Sequence, residues 1–395
     1  MKYGILIITL TFILTIKIAA QQTNMAGSLN SFSFDLYKQL KSDKENLFFS
    51  PFSIDVALLI AREGARSDTK TGFEKVLHID SNITGNDAHD FVLSLKSFKN
   101  SSNQLNVSNS IWLQNDYKIQ PDFQNKIQTN YFADIFHVNF ADKLRSTTII
   151  NNWAAQKTNN LIKNLISPDQ ITVSTKLVLI NAIYFSDRWD KEFEKYLTKK
   201  NDFYGVNNDT VKINFMHESG YYNYFENADF QFISKEYAGK DKLFCVILPK
   251  KRGGISSIDT IMNKTILDSI FKYETSTLVD LSIPKFKLEA NYSLNETLST
   301  LGLKKAFTVD ADFSGISNTS RLRINNVIHK TYIEVNEEKT EAAAATTIYF
   351  SDGLIPYDKL APKPKEFNAD HPFMFMIIDS KTKGIIFLGR YVKQQ

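Results

Sequence analysis

A run of ten residues near the middle of the chain, "KLVLINAIYF" from Lys176 to Phe185, is almost entirely apolar. This pattern is typical of a β-strand covered on both faces, because a strand with one solvated face would alternate apolar and polar residues. Asn181 is the exception, and an amide in such a strand must find hydrogen-bond partners in the interior. The run therefore predicts a sheet buried on both sides, with a polar group inside it.

The chain before this run favours helices. An amphipathic first helix is indicated by apolar residues at helical spacing, namely Leu29, Phe32, Leu36 and Leu40. The segment 46–69 begins as a short strand, breaks at Pro51 and continues as a second helix, with Ser50 or Ser53 as its N-cap. A further surface helix is predicted from Ser146 to Ile166.

The later part of the chain favours strands. Besides the earlier "LNVSNSIWLQ", the strand-forming runs are "FCVILPK", "VDLSIPKFKLEA", "HKTYIEVNE", "PFMFMIID" and "GIIFLGRYV". Because strands and helices do not alternate regularly, the pattern predicts an α+β fold. No repeat or shift in composition divides residues 21–395, so we expect a single domain there.

Residues 1–20 have the composition of a secretory signal peptide. Lys2 gives a positive start, the stretch "ILIITLTFILTI" is apolar apart from its threonines, and small residues precede Gln21. A membrane anchor is disfavoured, because those twelve residues would span roughly 18 Å as a helix, against about 30 Å of hydrocarbon. We therefore expect a secreted, extracellular protein.

Export makes two further features informative. Cys245 is the only cysteine, so no internal disulfide can form. Its apolar neighbours favour a buried small side chain, with a reactive or intermolecular thiol as the alternative. Eight Asn-x-Ser/Thr triplets are candidate glycosylation sites: Asn82, Asn100, Asn106, Asn208, Asn263, Asn291, Asn295 and Asn318.

Charge and motifs argue against several functions. The net charge is only +4, and Lys2 and Lys17 of the predicted signal contribute to it, so nucleic acid and membranes are not expected partners. The histidines are scattered, and no nucleophile elbow or phosphate-binding loop is present. Ser314 in "FSGIS" is better explained as a turn residue, and Lys96 and Lys99 do not make a heparin site. We therefore expect neither an enzyme nor a metal site.

The segment "EVNEEKTEAAAATTIYFSDG", Glu334 to Gly353, carries two conflicting preferences. Its acidic run and four alanines favour a helix, whereas the β-branched and aromatic residues behind them favour a strand. A helix would need only the first half of this segment, and a strand only the second.

Together these segments resemble the serpin family, and the similarity covers nearly all of the mature chain. The matching motifs, in order, are "NLFFSPFSI", "GARSDT", "NSIWLQ", "INNWAAQKTN", "IKNLISPD", "TKLVLINAIYFSDRW", "VILPK", "IPKFKLE", "NNVIHKTYIEVNEEKTEAAAAT", "FNADHPFMFMI" and "GIIFLGRYV". Their number and order make the resemblance specific, and the match is invertebrate-like. It implies three β-sheets with about nine helices, and an exposed reactive-centre loop over about 337–361.

The resemblance also implies a mechanism, the suicide inhibition of a secreted serine protease. The protease would attack the loop and form a covalent 1:1 complex, and the cut loop would then insert as a new strand of the large sheet. No cofactor is implied, and we expect a monomer. A non-inhibitory binding or carrier protein on the same fold is the alternative.

The family match places the reactive-loop hinge at Glu337, Glu338, Lys339, Thr340, Glu341, Ala342, Ala343, Ala344 and Ala345. If Thr340 faces inward after insertion, so do Ala342, Ala344, Thr346, Ile348 and Phe350, none of which is charged. The family usually has glycine, which permits unusual backbone angles, where this chain has Lys339. That lysine keeps the non-inhibitory alternative open.

Two counts place the scissile bond differently. Counting forward from the hinge gives Gly353–Leu354, whereas counting back from "EFNADHPF" gives Asp358–Lys359 or Lys359–Leu360. A cut after Gly353 suits an elastase-like protease, after Leu354 a chymotrypsin-like one, and after Lys359 a trypsin-like one. The mechanical limit on inserted length favours the first count.

The resemblance finally implies a polar cluster beneath the large sheet at Ser50, Ser53, Asn181 and His329, and places Trp189 under the point where the loop inserts. Each also has an ordinary explanation, as a satisfied core polar group or a core aromatic. A buried hydrogen-bonded network can hold a bistable sheet closed until insertion reorganises it.

Overall fold

The computed structural model describes residues 24–96, 104–206, 209–318, 322–338 and 363–394. In these ranges nine helices and three sheets are present, which confirms the predicted α+β class. The helices are α1 (24–40), α2 (Pro51–Gly64), α3 (Ser67–Val76), α4 (Gly85–Lys96), α5 (Pro121–Tyr131), α6 (Lys143–Lys157), α7 (Ile255–Ile261), α8 (Lys264–Tyr273) and α9 (Asn295–Leu298). None of these described helices is both long and apolar enough to cross a bilayer.

One sheet has five strands in the order β10-β11-β4-β2-β3. Its strands are β2 (Gln104–Gln114), β3 (Asp134–Val138), β4 (Leu177–Ser186), β10 (Phe286–Ser293) and β11 (Asn326–Val335). The apolar run "KLVLINAIYF" therefore forms β4, at the centre of this sheet. β4 pairs antiparallel with β2 and parallel with β11, and β11 pairs antiparallel with β10.

The other two sheets share the long strand β6. Their strands are β1 (Leu47–Phe49), β5 (Lys199–Tyr204), β6 (Thr210–Glu226), β7 (Phe230–Glu236), β8 (Lys242–Pro249), β9 (Thr275–Pro284), β12 (Lys365–Asn368), β13 (Phe373–Asp379) and β14 (Ile385–Tyr391). Most of β6 pairs with β5 and β9, and its last four residues pair with β7. The network therefore divides at β6 into β5-β6-β9-β12 and β6-β7-β8-β13-β14-β1.

The five-stranded sheet is covered on both faces, as its central strand predicts. On the inner face, Leu179 and Ile183 of β4 join the main core, where α2 is buried along almost its whole length. On the outer face, Val178 and Ile180 pack with α6 and the segment that follows it in a second, smaller core. Ser50 is the N-cap of α2, because its Oγ accepts the backbone N–H of Ser53 at 3.1 Å.

Two predicted elements differ from the structure. Helix α6 ends at Lys157 rather than at Ile166, because Asn159 and Asn160 take left-handed backbone angles (φ of 50° and 63°) that end a helix. The run "VDLSIPKFKLEA" forms two strands in different sheets, which divide after Pro284. Proline lacks the N–H that a continuous ladder would use.

Candidate functional site

The parallel pairing of β4 with β11, here called the seam, is the feature of the five-stranded sheet that could admit another strand. Its register runs from Asn326 opposite Val178 to Tyr332 opposite Tyr184. Parallel pairs have slanted hydrogen bonds and are slightly less stable per residue than antiparallel pairs. The chain leaves β11 after Val335, and this end of the seam is here called its upper end. A segment that turned back there would run antiparallel to both strands.

A row of polar side chains crosses the middle of the seam. His329 lies opposite Asn181, and Asn181 lies opposite Asn109 of β2. His329 Nδ1 is 2.6 Å from Asn181 Oδ1, and Asn181 Nδ2 donates to Asn109 Oδ1 at 2.7 Å and to the Ser53 carbonyl at 2.9 Å. Asn181 Nδ2 also contacts Ser53 Oγ. All these side chains are buried, so the row, with Ser50 and Ser53, forms one buried network.

The hydrogen bonds of this network fix the protonation of His329. The backbone N–H of Ser50 points at His329 Nε2 at 3.0 Å, so Nε2 accepts and carries no proton. Nδ1 is then the donor to Asn181, and the ring is neutral. Burial lowers the pKa of His329 to about 3, in agreement with this tautomer. Ser50 Oγ donates to the Ile386 carbonyl at 2.7 Å, which ties the network to β14.

The four predicted cluster residues, Ser50, Ser53, Asn181 and His329, thus lie together, whereas Asn109 was missed. Strand alternation could have found it, since Leu105, Val107 and Ile111 in "LNVSNSIWLQ" place Asn109 on the buried face. A second amide opposite Asn181 could not be read from the sequence, because it depends on the register between β2 and β4.

Trp189 lies beside the end of β11, and its predicted place under the point of loop insertion stays a prediction. Its ring stacks on Tyr237 with centroids 4.7 Å apart, and Phe193 meets it edge-on. Its indole N–H donates to the Asn336 carbonyl at 2.8 Å, directly after β11. Lys235, which is buried and salt-bridged to Glu218 at 2.5 Å, lies over the Trp189 ring at 5.7 Å. No pattern in the sequence predicts this ion pair.

Glu337 fixes the first residues after β11. Its carboxylate pairs with Lys285 at 2.5 Å and accepts from Thr198 Oγ1 at 2.7 Å, and its carbonyl accepts from the Phe193 N–H at 3.1 Å. Burial acts to raise the pKa of Glu337, but the hydrogen bonds from Lys285 and Thr198 outweigh burial and hold that pKa below its usual value. Glu338 pairs with Lys195.

We expect Glu337→Gln to lower the free energy of unfolding by about 1 kcal/mol, because it weakens a mostly buried ion pair. Glu334→Gln is the matched control, since its carboxylate is 29% exposed and its partner Lys287 is 65% exposed, against 8% for Glu337. Urea denaturation of both variants measures the difference. Equal losses would mean that the contact of Glu337 with Lys285 is no stronger than a surface pair.

The remaining predicted loop residues lie outside the described residues. They are Lys339 to Ala345 of the hinge and the scissile candidates Gly353, Leu354, Asp358, Lys359 and Leu360.

Cys245 is buried, as predicted, and burial raises the pKa of its thiol well above the usual value. Ser314 lies in an exposed turn, as predicted. Among the described residues no group of acidic, histidine or cysteine side chains could hold a metal ion.

The structure separates the glycosylation candidates by what their side chains already bind. Asn82 and Asn318 are exposed, and Asn106 is half-buried in β2. Asn263 is the N-cap of α8, and Asn291 donates to the Leu165 carbonyl at 3.2 Å. Asn295 accepts the Val327 N–H at 2.9 Å and donates through Nδ2 to the Asn325 carbonyl. Asn100 and Asn208, like the predicted signal peptide, lie outside the described residues.

When the chain is exported from eukaryotic cells behind an established signal peptide, glycopeptide mapping of the folded product should find glycans on Asn82 and Asn318 but not on Asn295. A glycan is attached at Nδ2, the atom that Asn295 uses inside the fold. As a control, Asn82→Gln should remove one glycan without loss of stability. A stable product with an occupied Asn295 would contradict the assignment.

Comparisons with known proteins agree with this geometry. The family model described as serpin (serine protease inhibitor) matches residues 27–394. An uncharacterized serpin-like protein of Thermococcus kodakarensis is 37% identical over 94% of this chain and 86% of its own length. Serpin48 of the insect Tenebrio molitor, described as a highly specific serpin, has a TM-score of 0.83 and 32% identity over 94% of this chain and 98% of its own.

A protein with a ligand-binding role also matches. The structure of human thyroxine-binding globulin complexed with thyroxine has a TM-score of 0.84 and 27% identity, over 95% of this chain and 100% of that one. Because archaeal, insect and human proteins all match, the invertebrate-like origin stays a prediction.

Proposed function

Because the chain belongs to the serpin family, we propose that it is a secreted inhibitor of a serine-type endopeptidase and acts as a suicide substrate. The seam carries the proposal: β4 and β11 are paired directly and in parallel, and the segment after β11 has small residues first and β-branched residues behind them. Insertion of that segment would exchange one parallel contact for two antiparallel ones, which are the more stable kind.

The covalent step is acyl transfer to the protease. The serine hydroxyl of the protease adds to the carbonyl of the scissile residue, the peptide C–N bond breaks, and the new amine leaves with a proton delivered by the protease. An ester then joins the protease to the cut end of the loop. We propose Gly353–Leu354 as the bond, with Asp358–Lys359 and Lys359–Leu360 as the alternatives.

The free energy of insertion is large enough for this role. About fifteen residues that gain ladder hydrogen bonds at roughly 1 kcal/mol each would release on the order of 10 kcal/mol. The inward residues Thr340, Ala342 and Ala344 are small and uncharged, so the leading end of the strand meets little steric or desolvation cost. Removing even one oxyanion contact costs a serine protease about 3 kcal/mol, so distortion of its active site would stall deacylation.

Besides the backbone ladder, two sets of side-chain contacts at the middle of the seam must break or rearrange as it opens. The first is the bond between His329 and Asn181, which crosses the seam. The second lies on the outer face, where Lys330 Nζ donates to the Asn164 carbonyl at 3.0 Å and holds the segment after α6 against the sheet. Both sets are intact here, and we take this arrangement as the state before cleavage.

A non-inhibitory carrier is the second candidate. The likeness to thyroxine-binding globulin and the presence of Lys339 instead of glycine favour it. A carrier would be cut by proteases without retaining them, so the same experiment separates the two functions.

The test is incubation with trypsin-, chymotrypsin- and elastase-like proteases, followed by a denaturing gel. We expect a covalent band at the summed mass of inhibitor and protease with at least one of the three, and mass spectrometry of the released peptide then identifies the scissile bond. Cleavage by all three without such a band would favour the carrier.

A further inference from the structure

The lower end of the seam is closed by side chains as well as by the backbone ladder. Asn325, just before β11, accepts the backbone N–H groups of Lys176 and Leu177 through its Oδ1, at 2.8 and 3.3 Å. Its own N–H donates to the Leu177 carbonyl at 2.9 Å. Asn325 therefore joins the start of β11 to the start of β4, just beyond the pair of Asn326 with Val178 at the lower end of the ladder.

Asn295 braces Asn325 from the opposite side. Its Nδ2 donates to the Asn325 carbonyl, and its Oδ1 accepts the Val327 N–H at 2.9 Å. The Leu294 N–H also donates to the Val327 carbonyl at 2.9 Å. Since these contacts attach Asn325 to the β10–α9 side, separation of β4 from β11 would break the contacts of Asn325 with Lys176 and Leu177 and leave its contact with Asn295 intact.

A strand inserted along the seam has to reach this level. In an antiparallel pair, moving forward along one strand means moving back by the same number of residues along the other. If Thr340 pairs with Val335, Phe350, ten residues later, therefore lies opposite Asn325, ten residues earlier. A cut at Gly353 leaves a strand that passes this point by about three residues. After complete insertion, the N–H groups of Lys176 and Leu177 would bond to backbone groups of the new strand and no longer to Asn325.

We propose that Asn325, braced by Asn295, is a positioning residue that holds the lower end of the seam closed and releases it only when a nearly full-length strand has entered. The proposal rests on the loop insertion proposed above. We call this contact a checkpoint, because it stays closed until insertion is nearly complete. It is separate from the network around His329.

Asn325→Ala tests the proposal through the melting temperatures of the intact and the loop-cleaved forms. We expect the intact form to melt roughly 3 °C lower, because two side-chain hydrogen bonds are lost, and the cleaved form to melt as the unsubstituted chain does, because these bonds are already broken there. Asn325→Asp keeps the accepting oxygen and should restore the intact form.

Asn46→Ala is the matched control. Asn46 bridges backbone groups in the same way, accepting from Val392 and Lys393 and donating to the Lys393 carbonyl, but it lies away from the seam. It should lower the melting temperature of both forms alike. An equal fall in both forms for Asn325→Ala would overturn the checkpoint. If cleavage of the unsubstituted chain produced no rise, the proposed insertion would fail first and take the checkpoint with it.

Discussion

A chain in which arginine replaces Ala344 should still be cut by its target protease but should no longer retain it. Ala344 shares the inward alternation that begins at Thr340, so the new guanidinium would have to enter the sheet interior. An unpaired buried charge costs several kcal/mol, which is enough to let deacylation outrun insertion. We expect the covalent product to fall at least about a hundredfold, measured on denaturing gels with cleavage followed in parallel.

Ala343→Arg is the control for this prediction. Ala343 belongs to the outward set, and at this height the outward side chain of β11, Tyr332, is only half-buried. The arginine could remain in solvent there, and the covalent product should largely persist. If both variants trapped the protease as well as the parent chain does, the inward alternation would be wrong.

His329 should make the stability of the native fold depend on pH. Burial holds its pKa at about 3, below the usual 6.5. Between pH 6.5 and 3 the imidazole is protonated in the unfolded chain but neutral in the native state. The contribution of His329 to the free energy of unfolding is therefore complete above pH 6.5 and is lost as the pH falls toward 3. Between pH 6.5 and 5.0 this amounts to roughly 2 kcal/mol.

Comparison with His329→Gln isolates this contribution from urea denaturation at each pH. Asp55 acts in the opposite direction, since burial raises the pKa of its carboxyl to about 8 and its contribution is lost as the pH rises from 3.8 to 8. The variant shares Asp55, so only His329 enters the difference. His78→Gln, at an exposed histidine paired with Asp35, is the control. A difference that is flat between pH 6.5 and 5.0 would contradict a neutral buried imidazole.

The local features of the site could be predicted from the sequence. The apolar run around Asn181, the cap at Ser50 and the period-2 pattern of the strands all depend on near neighbours, and the structure confirms them. The family motifs supplied the grouping of Ser50, Ser53, Asn181 and His329, which are far apart in the chain.

What the sequence could not provide were contacts that depend on register and on distant approach. Asn109 meets Asn181 only because β2 and β4 align in one register. Lys235 and Glu218 lie on different strands, β7 and β6, and no short-range pattern pairs them, yet both are buried together beside Trp189. The bracing of Asn325 by Asn295 likewise joins residues that no short-range pattern connects.

The proposed mechanism requires that the five-stranded sheet is less stable with the seam closed than with a sixth strand inserted between β4 and β11. The most direct measurement is the melting temperature of the chain cut once between residues 345 and 360, compared with that of the uncut chain. We predict a rise on the order of 10 °C, since about 10 kcal/mol is added to a domain of this size. A cut chain that melts at or below the temperature of the intact chain would show that the seam takes up no strand.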